Sequence, residues 1–311
     1  MDQQTARVGT GTDRARPGVA IGVGVGVAAA LLGLLPWLVA GARLPLQNLW
    51  AEPTGPKDMP RALLPFSQYT LTLLLALVVT GYGAAGTALR ALGVHRDRTT
   101  VRSAGAALLA VHLLATVQTA GVVGTGLTGR TASGLYLAAL LVVTILSVLV
   151  GLLVLALLVA RSRAAAVVGL TLLAVVLASW LGQLLVPWGS VPDDDRVRLL
   201  TAVARWAPAV LVGAAIAWGG LRSRAGLAAA AGGLVVLWAV PAAVTAVTSA
   251  AGSRALLRQP LELLSYASEV LRAALLLPEV VLPPLVLAVL VALLGAAAAS
   301  VLARGRRVRP A

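Results

Sequence analysis

The chain has no cysteine, a single lysine (Lys57), a single phenylalanine (Phe66), and charged residues at only 12% of its 311 positions. The missing cysteines exclude disulfides, thiolate metal sites and cysteine nucleophiles. The missing charge excludes more. A soluble domain of this size carries roughly 25% charged residues, whereas here 59% are hydrophobic and the mean hydropathy is +0.94. Too little polar surface remains to cover a water-soluble particle, so lipid must solvate much of the protein.

Asparagine is also nearly absent (Asn48), and isoleucine occurs only at Ile21, Ile145 and Ile216. Alanine, glycine, leucine, valine and arginine take their place. This bias is that of a GC-rich bacterial coding sequence, so a single arginine or glycine is not by itself a chemical device. The formal net charge is +14, which can mark nucleic-acid binding. Here the arginines sit at the ends of apolar segments and form no stripe with aromatics, so no nucleic-acid partner is expected.

A membrane helix needs about 20 mostly apolar residues. Eight segments qualify, near 17–41, 66–89, 103–126, 134–160, 164–186, 201–221, 225–250 and 280–303. The first follows basic residues, as a signal peptide does, but its apolar run exceeds the roughly 7–15 residues of such a region. The sixth contains Arg205, and Pro278, Pro283 and Pro284 interrupt the start of the eighth. The expected fold is therefore an all-α, polytopic integral membrane bundle of about eight transmembrane helices. It forms a single membrane domain, 17–303, flanked by basic tails at 1–16 and 304–311.

An even number of spans puts both termini on one side. The stretches sharing that side hold 15 of the 25 basic residues and three of the 11 acids. Excess Lys/Arg marks the cytoplasmic side, so both termini are expected to be cytoplasmic, in a bacterial plasma membrane. Trp37, Trp50, Trp188 and Trp206 then fall near the outer ends of spans, where tryptophan prefers to lie. Trp238 falls mid-span and is expected to pack inside.

The first span ends in "GLLPWLVAG" and the fifth in "GQLLVPWGS". Each precedes an outer loop, a helix and an arginine-bearing inner turn, which is compatible with two parallel four-helix repeats, 17–163 and 164–303. Pro36/Trp37 and Pro187/Trp188 would be equivalent positions. Internal repeats are common in transporters, and two common residue types recurring by chance is the plainer alternative.

Ionisable groups in hydrocarbon are costly and are the default functional suspects. Inside the expected spans there is no Asp, Glu or Lys, and His112 is the one deep titratable group. Thr116 and Thr119 follow at i+4 and i+7, with Gln118 slightly off that face. The functional reading is a polar lining for a path. The structural reading, which is preferred, is a neutral histidine bonded across a helix interface. Gln183 carries the same pair of readings. Gly18, Gly22 and Gly26 have the glycine density of a nucleotide-binding loop but recur every four residues within a span, which fits close helix packing.

Asp193, Asp194 and Asp195 occupy one short outer loop. Carboxylates suit divalent cations, and Glu52 or Asp58 of the first outer loop could complete a site. Three consecutive acids cannot all face one ion, however, and Arg196 and Arg198 follow at once. A solvated loop that starts a helix, where acids are favoured, is the preferred reading, and neither a metal nor a cofactor is expected.

Residues 254–278 differ from the rest. Arg258, Glu262, Ser265, Glu269 and Arg272 form one polar stripe on an otherwise apolar helix, which fits a helix lying in the outer interface. Three functions survive: a transport-related subunit without its own ATPase, a membrane scaffold or regulator, and a lipid- or envelope-processing enzyme. Beyond the lipid bilayer, the expected partners are other membrane subunits or a separate ATPase. No buried carboxylate supports ion coupling, and no nucleophile is paired with a base.

Overall fold

The structure, a computed structural model, describes residues 15–47, 49–253 and 259–307. The basic tail 1–14, Asn48, and the segment containing Leu257 and Arg258 lie outside the described residues. Within them the chain is an all-α, multi-pass membrane bundle. Eight helices are long and apolar enough to cross a bilayer: α1 (Ala15–Val39), α2 (Leu71–Ala91), α3 (Arg98–Gly126), α4 (Thr131–Val159), α5 (Arg163–Leu185), α6 (Asp194–Gly219), α7 (Arg224–Gly252) and α9 (Pro278–Arg307). The shorter α8 (Pro260–Leu276) precedes the last of them.

Three helix starts differ from the sequence expectation by five residues or more, one of them that of α3, which begins at Arg98 and not near 103. The second span begins at Leu71 and not near 66, because Pro65 and the residues after it belong to the packed connection before it. The sixth helix begins at Asp194, seven residues earlier than expected. Its first turns are too polar for a hydropathy window but are well capped. Asp193 is the N-cap and accepts from the Arg196 amide at 2.8 Å. Capping of this kind satisfies one of the amides a helix start leaves unpaired.

Ser162 and Ser223 cap α5 and α7 in the same way, and Asp97 caps α3 through the Thr99 and Thr100 amides. The Thr100 hydroxyl, followed by the Thr99 amide, holds the Asp97 carboxyl below its ordinary value. The Pro283–Pro284 pair does not break α9, although each proline removes one intrahelical bond, to the Glu279 and Val280 carbonyls.

The bundle has two distinguishable ends. Short turns at 92–97, 160–162 and 220–223 form an arginine-rich end. Arg90 there donates to the Leu158 and Ala160 carbonyls at the close of α4, and Arg90 and Arg163 both lie 5.7 Å from the Trp218 ring. The other end, called the aspartate end here, carries 40–70, 127–130, 186–193 and α8.

Packing follows the same order in each half. α1 packs on α2 and α3, and α2 packs on α4; α5 packs on α6 and α7, and α6 packs on α9. Neither α1 with α4 nor α5 with α9 makes a close approach among the described residues. α5 also lies against α2 and α4, where Trp180 Nε1 donates to the Gly33 carbonyl at 2.8 Å and ties the halves together. The α1–α3 contact is a backbone contact. A Cβ at Gly22 would stand 2.4 Å from the Thr100 carbonyl oxygen, and one at Gly26 would stand 2.5 Å from that of Ala104. The glycine face is used for packing.

Candidate functional site

The connection 40–70 is not a free loop. It folds over the aspartate end of the first half and buries Leu44, Met59, Leu64 and Phe66. Its backbone polar groups are paired with the helices below. The Leu63 amide donates to Gln118 Oε1 and the Leu64 amide to Thr119 Oγ1, both at 2.9 Å. Trp37 Nε1 donates to the Ala62 carbonyl at 2.8 Å, and the Tyr136 hydroxyl donates to Gln47 Oε1 at 2.7 Å. Trp37 is thus buried in the protein and does not sit in a lipid interface, contrary to the expectation from its position near a span end.

Those bonds account for much of the polar face of α3. Thr119 and Gln118 hold the connection, and the Thr116 hydroxyl donates to the His112 carbonyl of its own helix at 2.7 Å. His112 is buried, with Nδ1 2.8 Å from the Leu108 carbonyl and the ring stacked on Tyr82. Among the described residues, His112 Nε2, the Tyr82 hydroxyl and Gln183 Nε2 are buried without a hydrogen-bond partner. Gln183 lies on α5, apart from the His112–Tyr82 pair on α3 and α2. Tyr82 was not legible as a partner of His112, since nothing in the spacing of α2 marks it.

The acids do not gather into a cation site: among the described residues no three His, Asp or Glu side chains stand close enough to hold a metal ion. Asp193 pairs with Arg196 at 3.4 Å and Asp195 with Arg198, in exposed positions. Asp194 lies with Asp195 in the first turn of α6. Glu52 lies in the connection 40–70, exposed beside a shallow depression it shares with Trp50 and Met59, and Asp58 is exposed nearby.

A groove of about 530 Å³ lies in the second half, bounded by α6, α7, α8 and α9 at their aspartate-end halves. Its walls are mostly apolar, including Leu200, Leu237, Trp238 and Leu285. Three prolines, Pro208, Pro241 and Pro284, enter the lining, one from each long helix. Arg205 also lines it, with Nη2 donating to the Glu279 carbonyl at 3.2 Å and its guanidinium 4.8 Å from the Trp206 ring. α8 leans over the groove through Ala274, held by a 3.1 Å bond from Trp238 Nε1 to the Leu275 carbonyl. On α8, Glu262, Ser265, Glu269 and Arg272 are exposed, while Leu263, Ala267 and Val270 are half-buried.

The sequence marks Arg205 and Pro284 only as signs of uncertain span boundaries, and Pro208 and Pro241 are not singled out. The available signal was proline inside each of the last three spans, at Pro208, Pro241 and the Pro283–Pro284 pair. No family model, no curated protein and no solved structure matches this chain.

Proposed function

We propose that this protein is a transport-related subunit of a bacterial plasma membrane, a permease or passive path with no ATPase of its own. The arginine-rich end is cytoplasmic and the aspartate end external, following the excess of basic residues. One observation carries the reading. The two halves share one packing order, yet the connection 40–70 plugs the mouth of the first, while the short 186–193 turn leaves the second open beneath α8. We take the halves, 17–163 and 164–303, as descendants of one duplicated four-helix unit, with the binding function retained in the second.

The groove volume lies within the roughly 300–1,000 Å³ of ordinary ligand sites, and Pro-interrupted helices around such a space are a transporter pointer. Energy, where needed, would come from a separate ATPase or another membrane subunit. The test has two arms. The tagged protein is purified from native membranes in mild detergent and its stoichiometric partners are identified. The protein alone is reconstituted into phosphatidylcholine vesicles carrying fluorescent phosphatidylglycerol, and dithionite then reports movement between leaflets. An ATPase partner, or bleaching beyond the outer leaflet's share, supports the reading. Neither result together would sink it and leave a scaffold.

A further inference from the structure

We propose that the groove between α6, α7 and α9 binds a lipid with a phosphate-bearing, hydroxylated head group, the phosphate on Arg205 and the chain along the apolar walls. Arg205 lies four residues inside the apolar span expected at 201–221, which at 1.5 Å per residue is about 6 Å. A cation inside an apolar span is costly unless it is compensated. Among the described residues no carboxylate stands within salt-bridge distance of it. Its ring contact and its single carbonyl bond leave guanidinium donors free, in the planar fork that suits phosphate.

The prolines supply the second, independent element. Proline has no amide proton, so the carbonyl four residues earlier loses its helical donor. For Pro208, Pro241 and Pro284 those carbonyls belong to Ala204, Leu237 and Val280, and all three residues line the groove. Pro283 frees the Glu279 carbonyl in the same way, and that is the one Arg205 bonds. Among the described residues no side chain donates to the other three carbonyls. Acceptors in an apolar wall beside a cation fit a ligand that brings hydroxyl donors and an anion together. The half-exposed Trp238 and the leucines beside it fit its chain.

This assignment deepens the transport reading and rests on it for the role of the bound lipid, but its binding can be measured separately. The full-length protein in mild detergent is titrated with phosphatidylglycerol, with phosphatidylcholine of the same chains, and with glycerol 3-phosphate, and occupancy is read by native mass spectrometry. Wild type is expected to hold one phosphatidylglycerol about tenfold more tightly than phosphatidylcholine, with no retention of glycerol 3-phosphate. Arg205→Gln is expected to remove that preference, Arg205→Lys to keep part of it, and Arg198→Gln, outside the groove, to leave it intact.

Pro208→Ala, which returns a donor to the Ala204 carbonyl, is expected to weaken phosphatidylglycerol without affecting phosphatidylcholine. Equal binding of both lipids by wild type, equal losses in Arg205→Gln and Arg198→Gln, or retention of the chain-free phosphate would each overturn the proposal. Selective binding with no leaflet movement and no ATPase partner would keep this site and remove transport. Movement indifferent to Arg205→Gln would do the opposite.

Discussion

Tyr82 stacks on His112 across the α2–α3 interface, with ring centroids 5.3 Å apart and planes 19° from parallel. The pair fills the middle of the first half, where Gly151 of α4 makes room for it: a Cβ there would stand 2.4 Å from Tyr82 Cδ2. Its contacts are those of a packing element with two unpaired polar atoms, the Tyr82 hydroxyl and His112 Nε2.

Substitutions at this pair should follow volume more than polarity. Tyr82→Phe removes a buried hydroxyl without a partner and should leave stability unchanged or slightly raised, since an unmet polar group is itself a cost. His112→Leu should cost at most about 2 kcal/mol, since the bond it removes is to the Leu108 carbonyl of its own helix and Nε2 has no partner to lose. Tyr82→Ala opens a void and should cost about 3–5 kcal/mol. Unfolding midpoints in one detergent measure all three. Loss of leaflet movement in a fully stable His112→Leu protein would instead make the histidine functional.

Glycines of α1 should divide by the face they occupy. Gly26→Ala forces a methyl toward the Ala104 carbonyl of α3 and should lower the unfolding midpoint sharply. Gly24→Ala meets nothing within 4 Å and should be neutral or gain up to about 1 kcal/mol from helix propensity. Equal effects at the two positions would mean that α1 and α3 are not in backbone contact.

Single cysteines at Ser190 and Arg222, both exposed and at opposite ends of α6, should react with a membrane-impermeant maleimide from opposite sides. Residue 190 is expected to be accessible from outside. The cysteine-free chain gives no background. Labelling of both from one side would remove the assignment of eight crossings.

Spin labels stepped from Leu261 to Leu276 should report a shallow, constant depth with a period near 3.6. The carboxylates of Glu262 and Glu269 and the guanidinium of Arg272 face outward on α8 and cannot cross hydrocarbon cheaply. Leu261, 83% exposed, and Leu276, 72% exposed, lie on parts of α8 that lipid would solvate. Depth rising steadily along the segment would make α8 a ninth crossing and reverse the side of the C-terminus.

Composition and periodicity determined the helical membrane class, the eight apolar spans and the packing face of Gly18, Gly22 and Gly26, because lipid solvation demands length and apolarity within each segment. They also marked Asp193 as a helix start, since capping is local. What joins distant segments was decided only by tertiary structure. Thr119 and Gln118 proved to be anchors for the connection 40–70, which hydropathy alone reads as an ordinary polar linker. His112 found Tyr82, 30 positions earlier on another helix. The groove needed three helices to converge before Arg205 and the prolines acquired a common wall. Hydropathy records whether a residue can lie in lipid. It carries no information about which neighbour takes its hydrogen bond, and that depends on how the helices cross.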